Sequence, residues 1–128
     1  MRLLLDTHAL LWWFVDDLRL SAAARAAILE PSHEVWVSAA SAWEIATKHR
    51  LGKLPEAEGA AFRFRELVAA DGFGLLTMST DHALRAGAWA VPHQDPFDRM
   101  LAAQAELDDL TLVTLDDAFR LFPVRTLW

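Results

Sequence analysis

The chain has 128 residues, of which 54% are hydrophobic, and carries a formal net charge of −6 at pH 7. This length and hydrophobic content predict a single domain, residues 1–128, with one compact core. The absence of cysteine excludes disulfide scaffolds and thiolate metal sites, and no stretch reaches the ~18 apolar residues of a membrane span. We therefore expect a cytoplasmic protein with no membrane partner, whose negative charge argues against non-specific binding to nucleic acid.

The first predicted unit is a short strand followed by a helix. Arg2–Leu5 is apolar and ends at Asp6, and Thr7–Val15 is rich in apolar residues that suit a helix. An acid between them either caps the helix or lies at the carboxyl edge of a parallel sheet, where α/β proteins bind ligands. Trp12, Trp13 and Phe14 are adjacent, so they cannot all face one core. This aromatic run either packs in the core and also contacts a partner protein or packs in the core alone, and Trp12 and Trp13 are the candidate partner contacts.

The second predicted unit has the same order. Ser21 caps a helix that ends before Pro31, and Glu34–Val37 alternates like a short strand. Ser38 then caps a longer helix over Ala39–Arg50, which stops before a glycine. These elements repeat the strand-to-helix pattern of a parallel sheet.

Glu44 lies on this longer helix and has two interpretations. The predicted apolar stripe of the helix consists of Ala42, Ile45, Ala46 and His49. At 100° per residue, Glu44 falls about 200° from Ala42, on the same face as Lys48. One interpretation is an exposed Glu44–Lys48 ion pair, worth only ~0.2–0.5 kcal/mol. The other is a functional acid near the edge of the sheet.

The middle of the chain continues the alternation. It contains a predicted helix over Ala60–Ala70, a third strand over Gly74–Met78 and a helix from the cap Ser79 to about Ala88. Basic residues are concentrated here, namely Lys48, Arg50, Lys53, Arg63 and Arg65. They form either a solvated helical face or a weak RNA-facing patch.

The last third of the chain contains two further acids in specific places. Asp95 followed by proline is a strong helix start. Asp98 opens the buried stripe of that helix, which continues through Leu101, Ala102 and Ala105. A buried strand is predicted over Thr111–Thr114, and Asp116 stands just beyond its carboxyl end. Val124–Leu127 is predicted as a final edge strand.

The whole pattern predicts an α/β fold with a mainly parallel sheet covered by helices on both faces. Right-handed crossovers place the carboxyl ends of such strands at one rim. Asp6 and Asp116 directly follow two strands, whereas Glu44 and Asp98 lie near the starts of helices that begin at this rim. We therefore expect four carboxylates to converge.

Four converging carboxylates need a cation, because two unit charges 4 Å apart repel by ~4 kcal/mol at an effective dielectric constant near 20. All-oxygen ligands favour Mg²⁺ or Mn²⁺, and no zinc motif is present. Nucleophilic serine motifs and phosphate-binding loops are also absent from the sequence. Hydrolysis by metal-activated water is the chemistry that remains, and bound cations would reverse the local negative charge.

Four blocks of sequence carry a family resemblance. DTHALLWW, VSAASAWEIATKHRLGKL, HQDPFDRMLAAQA and LVTLDDAF resemble, in this order, the PIN-domain ribonucleases and specifically the VapC-type toxins of type II toxin–antitoxin pairs. The resemblance implies a PIN-like three-layer fold with a five-stranded sheet, and endoribonuclease activity. It also implies a Mg²⁺/Mn²⁺ site at Asp6, Glu44, Asp98 and Asp116, homodimerisation and inhibition by a cognate antitoxin.

Several neighbours of the four acids have alternative roles. Asp95 is a helix cap or a ligand, and Asp117 supplements Asp116 or favours the start of the next helix. Thr7, Ser38 and Thr114 are candidates for hydroxyls that support the ligands, or are ordinary cap and strand residues. Two other functions stay open: a metal-dependent phosphatase or DNA-directed nuclease, and a catalytically idle interaction module whose acids receive a partner's arginine.

Overall fold

The protein contains a five-stranded sheet in which every pair of neighbouring strands is parallel. The computed structural model describes residues 1–128, apart from the side chain of Glu56. The strands are β1 (Arg2–Leu5), β2 (Glu34–Ser38), β3 (Gly74–Leu76), β4 (Thr111–Val113) and β5 (Thr126–Leu127). Their order across the sheet is β3-β2-β1-β4-β5. The predicted parallel sheet is therefore confirmed.

Six α-helices connect the strands. They are α1 (Thr7–Phe14), α2 (Ala22–Leu29), α3 (Ala39–Arg50), α4 (Glu58–Ala70), α5 (Thr80–Ala88) and α6 (Pro96–Leu107). Two short 3₁₀ segments, Pro55–Ala57 and Asp117–Leu121, complete the described elements. None of these helices is long and apolar enough to cross a bilayer.

Helices cover both faces of the sheet, which gives the predicted three layers. Leu3 and Leu5 of β1 belong to a core cluster with residues of α1–α4, whereas Leu4 belongs to a second cluster with residues of α6. Successive side chains of a strand point to opposite faces, so a central strand between two helical layers is apolar throughout. This explains the uninterrupted leucines of β1.

Three predicted strands are longer than the observed ones, β4 by the single residue Thr114 and β3 and β5 by two residues each. Strand β3 stops at Leu76 because the carbonyl group of Thr77 accepts a hydrogen bond from the side chain of Gln104 instead of a neighbouring strand. Strand β5 begins only at Thr126, since the backbone N–H of Val124 donates to the carbonyl of Phe122 in a turn. The differences at β3 and β5 arise from contacts between distant or irregular segments.

The predicted apolar stripe of α3 is wrong. Its buried residues are Ala40, Ser41, Glu44 and Ile45, whereas Ala46 is exposed. The buried face is partly polar because it packs toward the carboxyl ends of the strands and toward α6 rather than only onto an apolar layer. The Glu44–Lys48 ion pair exists, but its glutamate is buried and not exposed.

Candidate functional site

Asp6 occupies the carboxyl end of β1 and caps α1 at the same time. Its backbone N–H donates to the carbonyl of Val113 (3.1 Å), which extends the pairing with β4. Its Oδ1 accepts the backbone N–H of Ala9 (2.7 Å), and its Oδ2 accepts the hydroxyl of Thr114 (2.5 Å). Asp6 therefore caps α1 and also lies at the carboxyl rim, and its role as a ligand stays a prediction.

The buried position of Asp6 changes its acidity. Only 6% of the residue is exposed, and burial raises its pKa to about 6, against the opposing effect of the hydrogen bonds from Thr114 and Ala9. The negative charges of Glu44 and Asp116 raise the pKa further. A nearby cation would offset the free-energy cost of ionising Asp6 in this buried position.

Thr114 ties Asp6 to Asp116. Its hydroxyl donates to Asp6 and accepts the backbone N–H of Asp116 (3.0 Å). Asp116 is exposed, and its Oδ1 accepts the backbone N–H of Ala118 (2.9 Å), so it caps the 3₁₀ segment. Asp117 is 84% exposed in its side chain and forms an ion pair with Arg120 (3.5 Å).

Asp98 lies in the first turn of α6 and contacts a histidine. Its Oδ2 is 2.8 Å from Nε2 of His93. Burial raises the pKa of Asp98 to about 6; the hydrogen bond with His93 lowers it, while the charges of Asp95 and Glu44 raise it. Asp95 is the predicted N-cap, since its Oδ1 accepts the backbone N–H groups of Phe97 (2.9 Å) and Asp98 (3.1 Å).

Glu44 projects from α3 and is 4% exposed. Its Oε2 accepts a hydrogen bond from Nζ of Lys48 at 2.5 Å. Burial of Lys48 acts to lower its pKa, but the hydrogen bond and charge of Glu44, with the charges of Asp95 and Asp98, outweigh it and raise the pKa. The ammonium group therefore stays charged beside the acids.

The four acids are linked in pairs by their charges, but they do not form a ready-made metal cage. Asp6 interacts with Glu44 and Asp116, and Asp98 interacts with Glu44. Nevertheless, within the described part of the chain no three His, Asp or Glu side chains are grouped closely enough to hold a metal ion. The donor set, carboxylate oxygens with two raised pKa values, suits Mg²⁺ or Mn²⁺. Binding would require the side chains to close around the ion.

The other predicted hydroxyls support the helices. Thr7 and Ser41 share a buried hydrogen bond (3.0 Å) that joins α1 to α3 next to Glu44. Ser38 caps α3 by accepting the backbone N–H of Ala40 (2.9 Å), and its hydroxyl donates to Oε1 of Gln104 (2.5 Å). Of these candidates, only Thr114 has a described hydrogen bond to the side chain of one of the four acids.

Sequence reasoning missed Gln104, His93 and Arg99. Gln104 is fully buried on α6, where it accepts from Ser38 and donates from Nε2 to the carbonyl of Thr77 (3.2 Å). Arg99 donates to four backbone carbonyls, those of Ala86, Trp89, Val91 and His93. A polar side chain in the middle of an alanine-rich buried stripe is the signal that could have identified Gln104.

The two adjacent tryptophans differ in burial. Trp12 is only 7% exposed and packs against Trp128, with the guanidinium group of Arg19 over its ring. Trp12 therefore packs in the core and offers little surface for a partner contact. Trp13 is half-buried and donates its Nε1–H to Asp71 (2.9 Å). It lines a groove with Phe14, Asp16, Arg25, Leu67, Ala70 and Asp71.

Comparisons with known proteins agree on one fold. The fold is similar to the crystal structure of VapBC2 from Rickettsia felis bound to a DNA fragment from its promoter, with a TM-score of 0.72 and 14% identity over 99% of this chain and 98% of that chain. It is similar to VapBC-1 from nontypeable Haemophilus influenzae, with a TM-score of 0.70 and 20% identity over 99% and 97% of the two chains. FitAcB from Neisseria gonorrhoeae gives a TM-score of 0.66 and 21% identity over 98% and 96%.

A comparison with curated protein sequences finds no match. The sequence model of the PIN domain, in contrast, matches residues 3–124, which include all four acids of the rim. The five-stranded parallel sheet and its flanking helices are the architecture of that family. The chain therefore belongs to the PIN domain family.

Proposed function

We propose that the protein is a metal-dependent endoribonuclease that acts as the VapC-type toxin of a toxin–antitoxin pair. The observation that supports this proposal is that the charge of Glu44 acts on both Asp6 and Asp98, and that of Asp116 on Asp6, at the carboxyl rim. Membership of the PIN family supports nuclease activity. The toxin assignment draws on the similar solved structures, which are named as VapBC and toxin–antitoxin proteins.

In this proposal the acids hold Mg²⁺ or Mn²⁺. A bound divalent ion would lower the pKa of water and neutralise the charge that develops on the phosphodiester. Asp6, Asp98 and Asp116 would be its ligands, and Glu44 would bind the ion or orient the attacking water. Thr114 and His93 hold the carboxylates of Asp6 and Asp98 by hydrogen bonds, as groups behind metal ligands commonly do.

A substrate comparison tests this function. The purified protein is mixed with Mn²⁺ and, in separate reactions, with single-stranded RNA, single-stranded DNA of the same sequence, and p-nitrophenyl phosphate. We expect internal cleavage of RNA that stops when EDTA is added, and little turnover of the other two substrates. Turnover of DNA or of the monoester at the rate of RNA would favour the DNA nuclease or phosphatase alternative. Failure to bind Mn²⁺ at millimolar concentration would favour the idle interaction module.

We also propose a cognate antitoxin and a second copy of the chain as protein partners. The half-exposed groove between α1, α2 and α4 offers apolar and aromatic surface for a helix of an antitoxin. The acids of the rim offer negative charge to an arginine or lysine of that partner.

Replacement of Trp13 by alanine tests the partner surface. We expect about tenfold weaker antitoxin binding, or weaker self-association, because buried aromatic anchors dominate many interfaces. Calorimetry measures the first and light scattering the second. Trp13→Phe, which keeps a ring in the groove, is the matched variant and should retain most of the affinity. Unchanged binding and self-association in Trp13→Ala would contradict the proposed role of Trp13.

A further inference from the structure

Lys48 is the cation inside the carboxylate site. It lies one helical turn after Glu44 on α3, and its Nζ is 2.5 Å from Glu44 Oε2. It also interacts electrostatically with Asp95 and Asp98 at the start of α6. Only 27% of the Lys48 side chain is exposed. This is therefore not an ordinary surface ion pair, since its partner carboxylate is almost completely buried.

An aromatic contact between α3 and α6 brings Glu44 and Asp98 together. Trp43, which precedes Glu44, packs edge-to-face on Phe97, which precedes Asp98, with ring centroids 4.8 Å apart. This aromatic contact holds the two acid-bearing turns next to each other. The ammonium group of Lys48, which is hydrogen-bonded to Glu44, also interacts with the charge of Asp98.

Charge balance explains what Lys48 does there. A carboxylate that is removed from water needs a cation or several hydrogen bonds. In the part of the chain that the structure describes, the Glu44 carboxylate accepts its hydrogen bond from Lys48. A divalent ion that entered between the same acids would both compete with the ammonium group for Glu44 and be repelled by it.

We propose that Lys48 is a positioning residue that keeps Glu44 paired and outside the direct ligand set of the divalent ion, so that the ion is held mainly by the aspartates. Glu44 is then left to accept a hydrogen bond from the attacking water through its second oxygen. The consequence for cleavage rests on the proposed nuclease function, but the effect on metal binding does not require RNA.

Calorimetric titration of Mn²⁺ into the full chain tests the proposal. Lys48→Met removes the charge and keeps the length of the side chain, and we expect Mn²⁺ to bind about tenfold more tightly, because a repelling charge is lost and Glu44 is released. Lys53→Met is the matched control, since it removes one positive charge from an exposed residue of the next loop. The Mn²⁺ affinity of Lys53→Met should stay within about twofold of that of the parent protein at physiological salt, where exposed charges are screened.

A double variant locates the effect at Glu44. In Glu44→Gln the addition of Lys48→Met should give a clearly smaller gain in Mn²⁺ affinity than in the parent protein, because the competition for that carboxylate is gone and only the loss of charge repulsion is left. Weaker or unchanged Mn²⁺ binding in Lys48→Met, or the same gain in the Glu44→Gln background, would overturn the proposal. If Lys48→Met does not fold, as judged by thermal unfolding, Lys48→Gln serves the same test, and Lys48→Arg should keep the affinity of the parent protein.

RNA cleavage at saturating Mn²⁺ separates this proposal from the proposed function. We expect Lys48→Met to cleave more slowly despite binding the metal more tightly, and Lys48→Arg to recover activity in part. A parent protein that binds Mn²⁺ but cleaves no RNA would refute the nuclease function, and the calorimetric comparison would still decide the role of Lys48. Faster or unchanged cleavage by Lys48→Met would overturn the role assigned to Glu44 and Lys48 in the reaction.

Discussion

Asp98→Asn is expected to lower Mn²⁺-dependent RNA cleavage by about a thousandfold, since a metal ligand contributes to several kcal/mol of transition-state stabilisation. The fold should survive, because the side chain lies at the partly exposed start of α6 and an asparagine can still hydrogen-bond with His93. Single-turnover cleavage of a labelled RNA measures the rate. Calorimetry on the same variant should show weaker binding of Mn²⁺.

Asp117→Asn is the matched control for this substitution. Asp117 is also an acid next to a predicted ligand, but its side chain points into solvent and pairs with Arg120. We expect cleavage by Asp117→Asn to stay within about threefold of the parent rate, as exposed ion pairs contribute little. Equal rates for Asp98→Asn and the parent protein would refute the assignment of Asp98 to the site.

Asp6→Asn is expected to stabilise the metal-free protein at neutral pH. The pKa of Asp6 is raised from 3.8 to about 6 in the folded chain, mainly by burial, so the folded state holds the proton more tightly than the unfolded state. As pH rises from about 4 to above 6, the unfolded state ionises first and the protein loses up to about 3 kcal/mol of stability. Asparagine carries no charge and avoids this loss, and it is as good a helix cap as aspartate.

Urea denaturation in the presence of EDTA measures the effect. The gain in the free energy of unfolding should be largest at neutral pH and should disappear below about pH 4, where the aspartate is protonated in both states. At saturating Mn²⁺ the parent protein should be more stable than Asp6→Asn, because only the parent protein gains full stabilisation from the bound ion. A lower stability of Asp6→Asn at neutral pH in EDTA would contradict the raised pKa of Asp6.

Much of the fold was predictable because local signals and tertiary structure agree. The apolar run of β1, the serine cap of α3 and the Asp95-Pro96 start of α6 each specify an element without reference to distant residues. Parallel strands then bring their carboxyl ends to one rim, so the positions of Asp6 and Asp116 followed from topology. The roles of these acids as metal ligands stay predictions.

The structure differs from the sequence-based predictions where contacts between distant segments determine which residues are buried. The buried face of α3 could not be read from its apolar residues, since Glu44 and Ser41 are buried by contact with α1 and α6. The sequence left open whether Trp12 packs in the core or also reaches a partner, and its burial depends on the distant Trp128, which packs against it. Gln104 joins the ends of two strands that are far away in sequence. Periodicity within one helix contains no information about such contacts.

The helix caps at the rim have a further consequence for an acidic protein. The amino termini of α1, α3 and α6 are capped by Asp6, Ser38 and Asp95, so all three helices start at the carboxyl side of the sheet. Each helix start carries a partial positive charge of about half an electron charge. The backbone thus offsets part of the negative charge of the rim carboxylates without lysine or arginine, and bound cations have to neutralise the rest before a polyanion can approach this side.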